Sequence, residues 1–83
     1  MASEDEQRSE SMRTLQERLA ERVRTLRRRH GLSQHDLAER AGVSRSTVAR
    51  VELGESNPDL DTLGKLATAL GVSPRALFVA EGE

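Results

Sequence analysis

The chain has 83 residues, enough for one small domain with a single core but not for an added catalytic or effector-binding domain. It contains no cysteine, which excludes disulfide bonds and thiolate metal sites, so packing alone must hold the fold. The net charge of −1 hides a basic centre: residues 22–50 carry eight arginines and two acids, a net +6, between ends of −3 and −4, and this distribution favours a nucleic-acid partner.

The amino-terminal part is predicted to contain an arm followed by a helix. Residues 1–11 have no apolar residue after Ala2, so we predict a flexible acidic arm. The sequence has neither a secretory signal nor an apolar membrane span, which predicts a cytoplasmic protein. Apolar residues at helical spacing then predict a helix over about residues 15–30. They are Met12, Leu15, Leu19, Val23 and Leu26.

The stretch 34–52 predicts two short helices, over 34–41 and 45–52, joined by a tight turn. This spacing is typical of a helix-turn-helix, in which the second helix is offered to the major groove of DNA. The predicted caps lie at the helix ends: Ser33 with Asp36 as a capping box, Gly42 as the left-handed residue and Ser44 as the second N-cap.

Two more helices are predicted after the helix-turn-helix, over about residues 60–70 and 74–80. Asp59 is suited to cap the first of them, and Pro74 fits the first position of the second. Gly64 interrupts the helix over 60–70 and is interpreted as a position of close packing. We therefore predict one all-α domain of five helices over residues 12–80.

One continuous segment, Leu26 to Phe78, resembles the DNA-binding domain of Cro/C1-type phage repressors, also called the xenobiotic-response-element family. It contains the opening G-L-S-Q, L-A-x-x-A-G-V-S across the turn, the Glu of V-E-L-G, the N-P loop and the closing A-L-G-V-S-x-x-x-L-F. The resemblance implies a five-helix lambda-repressor-like fold. It also implies a sequence-specific transcriptional regulator, most often a repressor.

The resemblance implies roles for three groups of residues. The implied base contacts are Arg45, Ser46, Ala49 and Arg50; an arginine can fork onto guanine, and an alanine methyl can meet thymine. The implied phosphate contacts are Ser33, Gln34, Ser44 and Thr47. The implied internal salt bridge joins Arg27 and Glu52.

Structural roles remain open for some of these residues. Ser44 caps a helix whatever else it does, and Gln34 has an alternative as a plain helix-start residue. Thr47 has an alternative as a spacer, and Arg50 as the partner of a nearby acid. Arg45 has no evident structural role, because a cation at a helix amino terminus is mildly unfavourable.

The sequence also bears on catalysis, protein partners and oligomeric state. Catalysis and a metal site are not expected, because cysteine and tyrosine are absent and the two histidines, His30 and His35, flank a helix break; no cofactor or small-molecule substrate is expected. A second possibility is an antitoxin or adaptor that keeps the fold but binds protein. A homodimer on two-fold DNA is expected, through the end of the last helix or, less favoured, through Met12, Leu15 and Leu19.

Overall fold

The structure, a computed structural model, describes residues 3–80. This part of the chain forms four α-helices and a short 3-10 helix, with no strand, so the prediction of an all-α fold is confirmed. The elements are α1 (Glu4–Arg29), α2 (Gln34–Ala41), α3 (Arg45–Glu52), α4 (Leu60–Leu70) and the 3-10 helix Pro74–Leu77.

Helix α1 begins earlier than the sequence predicted. Residues 4–11, predicted as a flexible arm, are helical; residues 1 and 2 lie outside the described range. Ser3 caps the helix by accepting a hydrogen bond from the N–H of Glu6 at 3.2 Å, and the first turn is acidic. Capping and negative charge at an amino terminus stabilise a helix without any apolar burial. The prediction of a flexible arm, which was based on the lack of apolar residues, was therefore wrong.

The last predicted helix is shorter than expected. Instead of a helix over 74–80, the chain forms one 3-10 turn at Pro74–Leu77, and the Ser73 side chain makes no capping hydrogen bond. Its N–H groups bond three residues back, as from Ala76 to Ser73 and from Phe78 to Arg75. Five helices were predicted, and the fifth is this single turn.

The core is formed by apolar residues from every helix. The stripe on α1 divides between two environments: Leu19, Val23 and Leu26 are buried, whereas Met12 and Leu15 remain 39% and 48% exposed. The side chains of residues 3–15 are all exposed, so the amino-terminal half of α1 projects beyond the core. The largest fully buried side chains are Leu37, Leu66, Leu70, Leu77, Val23, Val48 and Val51.

The turn between α2 and α3 follows the predicted capping pattern. Gly42 adopts φ 71°, a left-handed conformation that glycine reaches without strain, and the N–H of Val43 bonds the carbonyl oxygen of Ala38 at 3.0 Å. Ala38 is buried, and its small side chain suits the close crossing of the two helices. This turn sets the direction of α3 relative to α2.

Candidate DNA-binding surface

Helix α3 has one buried face and one accessible face. Val48 and Val51 are almost completely buried and attach the helix to the core. The residues predicted to contact bases lie on the other side of the helix, since each residue turns about 100° from the last. Arg45, Ser46 and Arg50 are exposed, and Ala49 is half-buried among them. The helix thus presents two arginines and a hydroxyl to solvent.

The hydroxyls of Ser44 and Thr47 form a pair at the amino end of α3. The Ser44 oxygen accepts a hydrogen bond from the Thr47 N–H at 3.1 Å, and the two hydroxyl oxygens are 2.8 Å apart. Either hydroxyl can be the donor in that bond, so the pair keeps one further hydrogen to donate. Capping and a phosphate contact are therefore compatible in this pair.

Ser33 and Asp36 close the amino end of α2 as a capping box. The Ser33 hydroxyl accepts from the Asp36 N–H at 3.0 Å, and the Asp36 carboxylate accepts from the Ser33 N–H at 3.1 Å. These hydrogen bonds hold the pKa of Asp36 below its ordinary value, and the bond from the Ser33 backbone contributes most. The box fixes the position of Gln34, the first residue of α2.

Glu52, the last residue of α3, is the centre of a buried polar network. Its carboxylate accepts from Arg27 twice, from Nε at 2.6 Å and from Nη2 at 2.9 Å, and from Nε2 of Gln34 at 3.2 Å. Glu52 is 4% exposed and Arg27 is 13% exposed. The hydrogen bond with Glu52 raises the pKa of Arg27. The pairing implied by the resemblance is present, but nothing in the sequence spacing indicated the bond from Gln34.

Two additional arginine bonds lie next to this network. Arg24 donates to the backbone carbonyl of Glu52, where a cation also interacts favourably with the helix dipole. Arg27 donates from Nη1 to the carbonyl oxygen of Leu32 at 2.8 Å, which ties in the loop after α1. Helix α1 therefore contacts the carboxyl end of α3 through two arginine side chains.

The basic central segment serves both structure and surface. Arg22 is 7% exposed and donates from Nε to the carbonyl oxygen of Ala76 at 2.9 Å, while Arg24 and Arg27 are half-buried. Five of the eight arginines are exposed. They are Arg28, Arg29, Arg40, Arg45 and Arg50. The positive charge available to a ligand is thus smaller than composition suggested.

The described residues contain no group of three or more His, Cys, Asp or Glu side chains arranged to hold a metal ion. His30 bonds the carbonyl oxygen of Leu70 at 2.9 Å, and His35 lies 2.9 Å from Glu39 on the exposed side of α2. Within residues 3–80, no helix is long and apolar enough to cross a membrane.

The fold and this surface define a helix-turn-helix protein. The family HTH_3, described as helix-turn-helix, matches residues 23–77, and the chain belongs to this family. It is a DNA-binding transcription regulator by family and by the solved structures it resembles. No curated protein matches the chain.

Three solved structures illustrate the similarity. The restriction-modification controller protein C.AhdI from Aeromonas hydrophila is 46% identical, with a TM-score of 0.73, over 76% of this chain and 96% of that one. A hypothetical transcription factor, NHTF, from Neisseria is 37% identical, with a TM-score of 0.75, over 78% and 75%. An HTH_3 family transcriptional regulator from Vibrio cholerae is 33% identical, with a TM-score of 0.78, over 84% of this chain and 39% of that one.

Proposed function

We propose that the chain is a sequence-specific repressor that binds a two-fold operator as a homodimer, through a single domain over residues 12–80. The exposed face of α3 supports this most directly, because its arginines project from a helix that is firmly packed on its other face. Base contacts are assigned to Arg45, Ser46, Ala49 and Arg50. Phosphate contacts are assigned to Ser33, Gln34, Ser44 and Thr47.

A homodimer is proposed because one recognition helix covers only a few base pairs, and two helices about 34 Å apart match successive half-sites. Leu77 and Leu19 are buried, so neither can form much of an interface. Met12 and Leu15 border a groove of about 350 Å³ that Phe78 also lines. The two surfaces suggested by the sequence therefore meet in one groove, and we assign the contact with a second copy to it.

The regulatory context is also a proposal. The 46% identity to a restriction-modification controller makes control of a restriction-modification system the first role to examine, by identifying the genes adjacent to this one. All three similar structures come from bacteria, which supports a bacterial or phage origin and work on DNA in the cytoplasm. A regulator of this class has no need of catalysis, and we propose none.

The decisive experiment is selection of bound duplexes from a random pool, followed by a salt series on the selected sequence. A repressor of the proposed kind enriches a two-fold sequence and loses affinity steeply as salt rises, because phosphate contacts release counterions. Capture of a protein partner together with the absence of any salt-dependent DNA binding would favour an antitoxin or adaptor instead.

A further inference from the structure

The Glu52 carboxylate contacts a residue that the proposed function assigns to DNA. Its Oε1 accepts a hydrogen bond from Nε2 of Gln34 at 3.2 Å, and its two oxygens accept from Arg27 at 2.6 and 2.9 Å. Because Glu52 is 4% exposed and Gln34 is half-buried, water competes little for these bonds. The end of α3 thus restrains a side chain at the start of α2.

The chemistry of the acceptor determines how the Gln34 amide is turned. A carboxylate only accepts hydrogen bonds, so the amide must direct its NH2 group, not its oxygen, at Glu52. The NH2 group carries two hydrogens, and one is used in this bond. The other is left for a second acceptor. A phosphate oxygen at the amino end of α2 is such an acceptor, and the helix N–H groups there also favour an anion.

We propose that Glu52 is a positioning residue for DNA binding: by holding the Gln34 amide, it presents one N–H of that amide to a backbone phosphate. Without the carboxylate, the amide rotates freely and spends part of its time with its oxygen toward the phosphate, where two acceptors repel. The Arg27–Glu52 ion pair then sets affinity for duplex DNA as well as stability. This inference rests on the proposed function.

The test is a double-mutant cycle measured as DNA affinity. Gln34→Met removes the amide, and Arg27→Met combined with Glu52→Met removes the carboxylate without leaving a buried charge, a replacement that proteins often tolerate. Affinity for a labelled duplex of random sequence is measured by fluorescence anisotropy, with folding checked by circular dichroism. We expect Gln34→Met to weaken binding about tenfold, the scale of one hydrogen bond. The paired Met substitutions should weaken it by a smaller factor, because a freely rotating amide still donates part of the time.

Coupling between the two sites decides the outcome. All three substitutions together should bind about as weakly as Gln34→Met alone, because the paired Met substitutions act only through the Gln34 amide. A combined loss equal to the product of the two separate losses would mean independent effects; it would overturn this inference and leave the proposed function standing. Failure of the unmodified chain to bind any duplex in a salt-dependent way would overturn the proposed function and the inference with it. Gln7→Met is the matched control, since Gln7 is exposed on the projecting half of α1.

A second measurement needs no substitution at Glu52, and so it covers the case in which the triple variant fails to fold. In the isotope-labelled full chain, the two side-chain amide protons of Gln34 are followed by NMR while a random-sequence duplex is added. One proton should be hydrogen-bonded before DNA is present, and the other should shift when the duplex binds. No shift of either proton, or equal shifts of both, would contradict a fixed amide that donates to a phosphate.

Discussion

Arg27 and Glu52, 25 positions apart in the chain, form a two-pronged ion pair that joins α1 to the carboxyl end of α3. Both side chains are largely removed from water. The pair therefore ties the end of α3 to α1, and its removal should lower the stability of the whole domain.

We expect Arg27→Ala or Glu52→Ala to lower the free energy of unfolding by about 3–5 kcal/mol, because each leaves an uncompensated buried charge. Arg27→Met combined with Glu52→Met should remain within about 1 kcal/mol of the unmodified chain, since no charge is left behind. Urea titration followed by circular dichroism measures both. Single variants as stable as the unmodified chain would contradict a structural role for the pair.

Acid should destabilise the domain through its helix caps. The Asp59 carboxylate accepts hydrogen bonds from the Thr62 hydroxyl and from the Thr62 N–H, the latter at 2.8 Å. These bonds, the hydroxyl first, hold the pKa of Asp59 below its ordinary value, as the Ser33 backbone does for Asp36. A carboxyl with a lowered folded-state pKa contributes stability above its unfolded pKa and loses it as pH falls through the folded one. We therefore expect the free energy of unfolding to decrease as the pH is lowered past about 4.

The combination of Asp36→Asn with Asp59→Asn tests the origin of that drop. Urea titrations at a series of acidic pH values should give a shallower dependence in this variant, because neither cap can lose a negative charge. An unchanged acid dependence would place its source elsewhere in the chain.

Base readout and phosphate contact should separate in two single variants. Arg45→Ala should weaken binding to the selected operator by about 1–3 kcal/mol and leave a scrambled duplex almost unaffected, if the arginine makes the proposed contact with a base edge. Gln34→Ala should weaken both duplexes alike. It should also keep the salt dependence, since a neutral amide releases no counterion. Equal losses on the two duplexes for Arg45→Ala would remove that residue from base readout.

The proposed groove predicts which exposed leucine matters for association. Leu15→Glu introduces a charge into the groove and should convert the proposed dimer to a monomer, as measured by sedimentation or light scattering. Leu60→Glu is the matched control, because Leu60 is 86% exposed and does not line that groove. A dimer that survives Leu15→Glu would exclude this surface as the interface.

Gly64 lies in α4 with open space around the position that a Cβ would occupy, so the interpretation as a close-packing residue was wrong. Its φ is not positive, and alanine fits an ordinary helical site. We expect Gly64→Ala to stabilise the domain by about 0.5–1 kcal/mol. Gly42→Ala should destabilise it, because φ is 71° there. Thermal unfolding of both variants measures the difference, and a loss of stability in Gly64→Ala would contradict the expectation.

Local signals in the sequence predicted the parts of the fold that short-range physics determines. The boundaries of α2 and α3 follow from Ser33, Gly42 and Ser44, each of which satisfies a helix end by its own side chain or backbone. The start of α1 was missed because a capped, acidic helix end needs no apolar face. The last helix was overestimated because its start signal did not determine its length.

The spacing of residues in the sequence could not predict contacts between different helices. Gln34 and Glu52 are on different helices, and only the folded crossing of α2 and α3 brings them to 3.2 Å. The structural roles of Arg22 and Arg24 could not be predicted either, because the sequence does not distinguish a solvated arginine from one that bonds a backbone carbonyl. Only the Arg27–Glu52 pair was anticipated, and that came from family resemblance.

Helix α1 has 26 residues and is about 39 Å long, with its outer half free of the core and its inner half bonded to the end of α3. Its two halves therefore meet different demands: the inner half must keep its packing against the core and α3, whereas the outer half can change in sequence without disturbing either.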